Sequence, residues 1–282
     1  MQFGQYKVES ITSGHLRLDG GGMFGVVPKV LWEKKALPDR KNRIYMAMNV
    51  LLITSPDMNI LVDTGAGSKE DAHFHKMYSL DEPGLFKALK ARGLKRGDID
   101  LVVNTHLHFD HAGGNTERRE DGAIVPCFPN ATYVVQRKEY EDALAAGERS
   151  KASYLPDNYV PLAESGRLQF LEGEKELVEG IVAYPLPGHT MGMQGVKITG
   201  GGKTALYLAD CIPTRHHIPL PWIMSYDLYP LITLETKKAV LPKAAEERWT
   251  LFFEHDPEVA AARIQELGPH KYRVIPVEEP HE

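Results

Sequence analysis

Three histidines and an aspartate crowd into six positions of the stretch "NTHLHFDHAGGN": His106, His108, Asp110 and His111. With 12 histidines in 282 residues, an HxHxDH string arises by accident roughly once in a thousand chains of this composition, so chance explains it poorly. A solvated loop or helix face is the other plain account, and geometry bears on it. On a helix the four positions would point in widely separated directions, whereas along an extended segment 106, 108 and 110 share one side. The extended reading brings those three together and turns His111 aside, where it can begin a second ligand set. Imidazoles and carboxylates without thiolates are donors for zinc, with manganese, iron or cobalt as alternatives.

Further ligands must come from elsewhere in the chain, and four apolar runs stop on a suitable residue. "LVVNTH" ends at His106, "AYPLPGH" at His189, "ALYLAD" at Asp210 and "LFFEH" at His255. Sites in α/β folds gather beyond the carboxyl ends of strands, so one rim could hold all of these side chains. Five neutral histidines and two aspartates leave a dinuclear zinc pair with net positive charge, which favours a developing oxyanion. The remaining histidines lack such a setting. His73 and His75 fall in a polar, helix-like stretch, His15, His270 and His281 read as exposed, and His216 and His217 lie in an apolar loop where they could touch a substrate.

The elements that must position these residues alternate. "NVLLITSPDMNILVDTG", residues 49 to 65, reads as two apolar strands joined by a Pro-Asp turn. Residues 84–92 carry helical spacing and feed the strand before His106. Strands are expected at 131–135, 168–171, 181–184, 194–198, 204–209 and 249–253, helices at 137–146, 235–247 and 257–267, and an irregular stretch at 151–161. Strands and helices alternating in both halves imply a layered α/β architecture, read as one domain over residues 1–282. Two loops, about 19–45 and 212–230, combine Pro or Gly with large apolar side chains. They serve either as packing over the core or as walls of a substrate pocket. In the pocket reading the wall residues are Met23, Phe24 and Trp32 from the first loop, and His217, Trp222 and Tyr226 from the second.

Composition narrows the class. Hydrophobic residues make up 43% of the chain, enough for a sizeable core, and the net charge is -5. The basic clusters at Lys34 to Arg43 and Lys87 to Arg96 are interleaved with other residues and read as solvated faces, so neither nucleic acid nor an anionic membrane is an expected partner. Cys127 and Cys211 form no disulfide framework and read as small buried residues of a reducing compartment. The amino-terminal stretch has neither a charged nor an apolar signal region, and no run approaches a membrane span. A soluble cytoplasmic protein is expected, with a homodimer left open.

Taken together, THLHFDHAGG, PGHTMG, LYLAD and FFEHD resemble, in order and spacing, the motifs of the metallo-β-lactamase superfamily, from about LVDTG to FEHD. The resemblance implies a four-layer αβ/βα sandwich with a dinuclear site at its edge. By motif, His106, His108 and His189 would hold one metal and Asp110, His111 and His255 the other, with Asp210 bridging. Asp63 in LVDTG matches an aspartate that orients a ligand histidine, although a turn closing the strand accounts for it equally well. The pattern resembles acyl-homoserine lactonases, related esterases and thioesterases more than lactam-cleaving enzymes with a cysteine ligand. His108, where the flavodiiron branch has glutamate, counts against redox iron. One position departs from the lactonases: their catalytic tyrosine follows the bridging aspartate by three residues, and here that residue is Pro213. Tyr226 or Tyr229 is the candidate replacement.

The expected activity is therefore hydrolysis of a small-molecule lactone or carboxylic ester by a hydroxide bound to two Zn2+ ions. Asp110 would orient the hydroxide and pass its proton to the leaving group. The alternatives are a zinc-dependent phosphodiesterase or phosphotriesterase, for which only Arg215 is at hand near the site, and a thioesterase of the glyoxalase II type. A non-catalytic metal-binding protein is the remaining class.

Overall fold

A computed structural model describes residues 1–81 and 84–277; His281 lies outside the described residues. Two seven-stranded sheets, one from each half of the chain, form the centre of the molecule. The first runs in the order Gln2–Phe3, Tyr6–Asp19, Arg43–Thr54, Asn59–Val62, Leu101–Val103, Thr132–Gln136 and Leu168–Leu171. The second runs Lys175–Val178, Ile181–Pro185, Gln194–Gly200, Lys203–Tyr207, Thr250–Phe252, Ala261–Gly268 and Lys271–Pro276.

The period of two along the central strands explains the layering. Leu51 and Ile53 enter the cluster between the sheets, where they meet Val196, Ile198, Leu206 and Phe252. Their neighbours Val50 and Leu52 face the other way and pack with Leu85 and Leu89 of the helix Leu85–Ala91. On the far side, Val240, Leu241 and Ala244 of the helix Pro230–Glu246 join the core behind the second sheet. The result is the α/β sandwich implied by the motifs, with helices on both outer faces. Each such fully buried aliphatic side chain contributes about 1.5–3 kcal/mol, so Leu51→Ala would cost about 2–5 kcal/mol. Among the described residues, no helix is long and apolar enough to cross a membrane. Both cysteines are free and buried.

Two features differ from the sequence reading. The 14-residue strand Tyr6–Asp19 was not expected, and it pairs along the whole of Arg43–Thr54. The expected helix at 257–267 is instead the strand Ala261–Gly268, hydrogen-bonded on one side to Thr250–Phe252 and on the other to Lys271–Pro276. The segment "AARIQELG" has good helix formers, but Ala262 and Ile264 are buried while Arg263 and Gln265 are exposed. An open sheet edge overrides the local preference.

Candidate metal centre

Parallel pairing brings the carboxyl ends of four strands to one edge. Asn59–Val62 pairs in parallel with Leu101–Val103, and Lys203–Tyr207 with Thr250–Phe252. Asp63, His106, Asp210 and His255 follow these strands within three residues. His108 has extended backbone and its ring meets that of His106, as the alternation predicts. Asp110 and His111 do not continue it: they lie on one helical turn, Phe109–Ala112, whose first bonds return to the His108 carbonyl. That turn lets all four side chains converge, and the following glycines let it sit close to the loop that follows the strand Asn59–Val62. A Cβ on Gly113 would lie 2.1 Å from the Ala66 carbonyl oxygen, and one on Gly114 2.3 Å from that of Thr64.

The seven residues named from the sequence meet in one cluster. Nδ1 of His108 lies 3.1 Å from Nε2 of His106 and 3.0 Å from Nε2 of His189, three nitrogens facing a common point. Opposite them, Nε2 of His255 stands 3.8 Å from Asp110, and Nε2 of His111 3.9 Å from the same carboxylate. Asp210 lies between the two sets. Its Oδ2 is 3.3 Å from His189 Nε2 and 3.6 Å from His111 Nε2, and its Oδ1 is 3.1 Å from His255 Nε2. His111 Nε2 and Asp210 Oδ1 are buried with no hydrogen-bond partner. Donor atoms left without partners inside such a cluster fit a divalent cation. Four groupings could hold one: His106, His108 and His189; His106, His111 and Asp210; Asp110, His111 and His255; and, on the far side of the His111 ring, Asp63, His111 and Glu254.

Surrounding groups fix the rings. Asp63, fully buried, accepts from the Thr105 amide at 2.7 Å and the Thr105 hydroxyl at 2.6 Å, and lies 3.0 Å from His111 Nδ1. Its backbone is left-handed at φ 60°, a conformation that costs a non-glycine residue about 1–3 kcal/mol and is held by those bonds. Glu254 lies 3.1 Å from the same His111 nitrogen, Asp227 3.0 Å from His189 Nδ1, and the Ala47 carbonyl 2.8 Å from His255 Nδ1. Pro213, where a lactonase would have tyrosine, gives its carbonyl to the His255 amide.

The protonation pattern follows from these contacts. Burial and neighbouring imidazoles hold His106 and His108 well below the usual histidine range, so both are neutral. Burial also opposes charge on His111 and His255, but Glu254 and Asp210 beside His111, and Asp210 and Glu254 beside His255, outweigh it. His111 is raised well above its ordinary value and His255 to about 9. Asp210 stays well below the carboxylate range because His255, His189 and His111 overcome its burial. A metal entering this site would displace protons.

A cavity of about 210 Å³ opens over the cluster. Leu18, Met23, Met46, Phe109, Met224 and Leu228 form its apolar wall, and Tyr78, Arg149, Ser150, Ser153 and Tyr226 its polar one. Of the six wall residues expected from the sequence, Met23 and Tyr226 border this space. Phe24, Trp32, His217 and Trp222 form an aromatic stack behind it: Phe24 lies 5.3 Å from Trp32 and 4.9 Å from His217, with Trp222 edge-on at 5.6 Å. Met23 and Phe24 sit on the short helix Gly20–Phe24, where adjacent residues point about 100° apart, so only one faces the cavity. Both ring nitrogens of His217 are engaged, with Thr214 and the Met23 carbonyl, and burial holds it down at about 3. Arg215 is paired with Asp256 at 2.6 Å and with Glu258, and it lines a neighbouring cavity on the other side of Met46. His15, expected to be exposed, is half-buried against Tyr45 and Asp81. Lys237 of the long helix donates to the carbonyls of His217, Pro219, Leu220 and Trp222, clipping the second loop to the core.

Four charged residues at the site escaped the sequence reading, besides the uncharged residues of the wall. Glu254 had a signal, as a charged residue closing the apolar run before His255. Asp227 and Arg149 had none beyond being charged in loops, and Glu139 reads as one more polar position on a solvated helix.

Comparison with known proteins gives a family and a fold. The Metallo-beta-lactamase superfamily profile matches residues 46–255. The N-acyl homoserine lactonase of Bacillus thuringiensis is 30% identical over 222 residues, covering 73% of this chain and 80% of that one. The crystal structure of a "probable metal-dependent hydrolase" from Staphylococcus aureus superposes with a TM-score of 0.90 at 31% identity, over 99% of both chains. AidC, a dizinc quorum-quenching lactonase in complex with a product, N-hexnoyl-L-homoserine, shares the fold at a TM-score of 0.82 and 24% identity, over 100% of this chain and 97% of that one.

Proposed function

The chain belongs to the metallo-beta-lactamase superfamily and is a metal-dependent hydrolase, and from that premise we propose that it hydrolyses lactones or carboxylic esters with two zinc ions. The observation that carries this reading is Asp210, whose carboxylate lies between the two ligand sets, 3.3 Å from His189 on one side and 3.1 Å from His255 on the other, at the floor of a cavity with an apolar and a polar wall. His106, His108 and His189 would hold one ion, and Asp110, His111 and His255 the other. When bound, zinc supplies Lewis acidity toward a carbonyl and brings the pKa of water to about 7.

The protein's own groups do the rest. Asp110 faces both the second ligand set and the cavity, so it can orient an attacking water and carry its proton to the leaving oxygen. The methionine-rich wall takes the apolar part of the ester and excludes water. Arg149, Ser150 and Ser153 offer donors to a second acceptor group on the substrate. Tyr226 stands in for the tyrosine that Pro213 replaces: burial pushes it up to about 12, so its phenol stays protonated at neutral pH and can donate to an oxyanion.

The test is a hydrolysis screen of zinc-loaded protein against lactones, aryl esters, thioesters, phosphodiesters and cephalosporins, paired with elemental analysis. Close to two zinc ions per chain, and kcat/KM at least about 100-fold higher on lactones or esters than on phosphodiesters, is the expected result. Saturation at one metal, or greatest activity on phosphodiesters, overturns the reading.

A further inference from the structure

Five histidines face the proposed metals, and four of them have a partner for the nitrogen that points away. His106 Nδ1 lies 3.1 Å from the Thr105 hydroxyl, His111 Nδ1 3.0 Å from Asp63, His189 Nδ1 3.0 Å from Asp227, and His255 Nδ1 2.8 Å from the Ala47 carbonyl. His108 is the exception. Its Nε2 is buried and has no hydrogen-bond partner. A ligand imidazole is ordinarily oriented by such a partner, so something else must fix this ring.

Glu139 supplies the alternative. It sits in the first turn of the helix Arg137–Leu144 and is fully buried. Oε1 accepts the Leu107 amide at 3.0 Å and the Tyr154 hydroxyl at 2.9 Å, while Oε2 accepts the Thr190 hydroxyl at 2.5 Å. Each bond ends beside a member of one ligand set. Leu107 lies between His106 and His108, Thr190 follows His189, and the Tyr154 ring meets the His108 ring at 4.6 Å with an interplanar angle of 61°. The three bonds of Glu139 all run to this side and none to Asp110, His111 or His255. Gly192 preserves the close approach, since a Cβ there would fall 2.2 Å from the Glu139 amide nitrogen.

We infer that Glu139 is the positioning residue of the three-histidine side of the centre, holding the backbone between His106 and His108, the loop after His189, and the tyrosine that orients His108. A carboxylate suits the task because it is acceptor-only, and three donors converge on it. Glutamine keeps the shape but turns an N–H group toward those donors. The inference rests on the two-metal reading of the site.

The test is a stepwise Co2+ titration of metal-free protein, read by visible absorption and by competition with a chelator. Glu139→Gln should weaken one of the two bound ions by about 10- to 100-fold and leave the other within a factor of about three. Tyr154→Phe and Thr190→Val each remove one arm and should weaken the same ion by about 3- to 10-fold; they carry the test if Glu139→Gln does not fold. Two backgrounds identify the site. With His255→Ala the surviving ion should remain sensitive to Glu139→Gln, and with His189→Ala it should not. Equal weakening of both ions, or no change in either, overturns the inference. A wild-type protein that binds a single ion sinks the two-metal reading, and Glu139 keeps its role if that ion still weakens in the variant.

Discussion

The floor and the mouth of the cleft are held by different means. On the floor, Asp63, Asp210, His189 and His255 follow strand ends, His111 sits on the turn after His108, and their side chains share a lattice of contacts between 2.6 and 3.6 Å in which the atoms left without hydrogen-bond partners include His111 Nε2 and Asp210 Oδ1. The mouth draws on strand, short helix and loop, and although Lys237 pins the second loop from behind, the apolar wall facing the cavity is dispersive: Met23, Met46 and Met224, with stacked aromatic rings behind them. Polar lattices fix geometry to fractions of an ångström, whereas thioethers repack at little cost. Chemistry is thus preorganised on the floor, and substrate choice is left to a compliant wall.

The sharpest way to break this contrast is at Asp210. Asp210→Ala removes the carboxylate shared by both ligand sets, so metal content should fall below one ion per chain and kcat/KM by more than about 1,000-fold. Retention of two metals by elemental analysis would show that the floor is not organised around it. Asp110→Asn comes next, with kcat expected to drop about 100- to 10,000-fold. Near-normal turnover at full metal occupancy would remove Asp110 from the proton path.

The mouth should respond more mildly. Met224→Trp narrows the cavity and should raise KM for bulky esters about 10-fold, with metal content unchanged. Trp222→Ala, behind the wall, should alter KM less than about threefold while lowering stability by about 2 kcal/mol. A larger kinetic effect at 222 than at 224 in matched steady-state assays would reverse the assignment of wall and backing.

The smallest effect is a pH dependence at Lys237. Burial lowers its ammonium from 10.5 to about 8. A lysine depressed in the fold contributes stability above its unfolded value, and this is lost as pH falls through about 8. Between those limits wild type should gain stability over Lys237→Met as pH rises, by at most about 3 kcal/mol. Urea melts at the two ends of the window read the difference, and a pH-independent gap would mean the proton stays on.

The floor was legible in the sequence because four of its ligands close an apolar run, and a strand end has one place to go in an α/β sheet. His106, His189, Asp210 and His255 needed no tertiary knowledge beyond that. The turn at Asp110 was not legible, since it depends on two glycines packing against Thr64 and Ala66. The mouth was half legible. Its apolar character was plain, but which of Met23 and Phe24 faces the substrate depends on a helix only five residues long. Ala261–Gly268 was not legible because its partner strands decide its conformation, one of them through pairs such as Leu251 with Ala262.

Lys237 gathers four carbonyl oxygens from His217, Pro219, Leu220 and Trp222 around one buried nitrogen. Oxygens converging in this way are the usual coordination shell of a hard cation, and here the cation is covalently tethered to the long helix. The second loop therefore carries its own ion, one that no chelator can remove. Stripping the floor of metal would unmake the reaction and leave that side of the entrance standing.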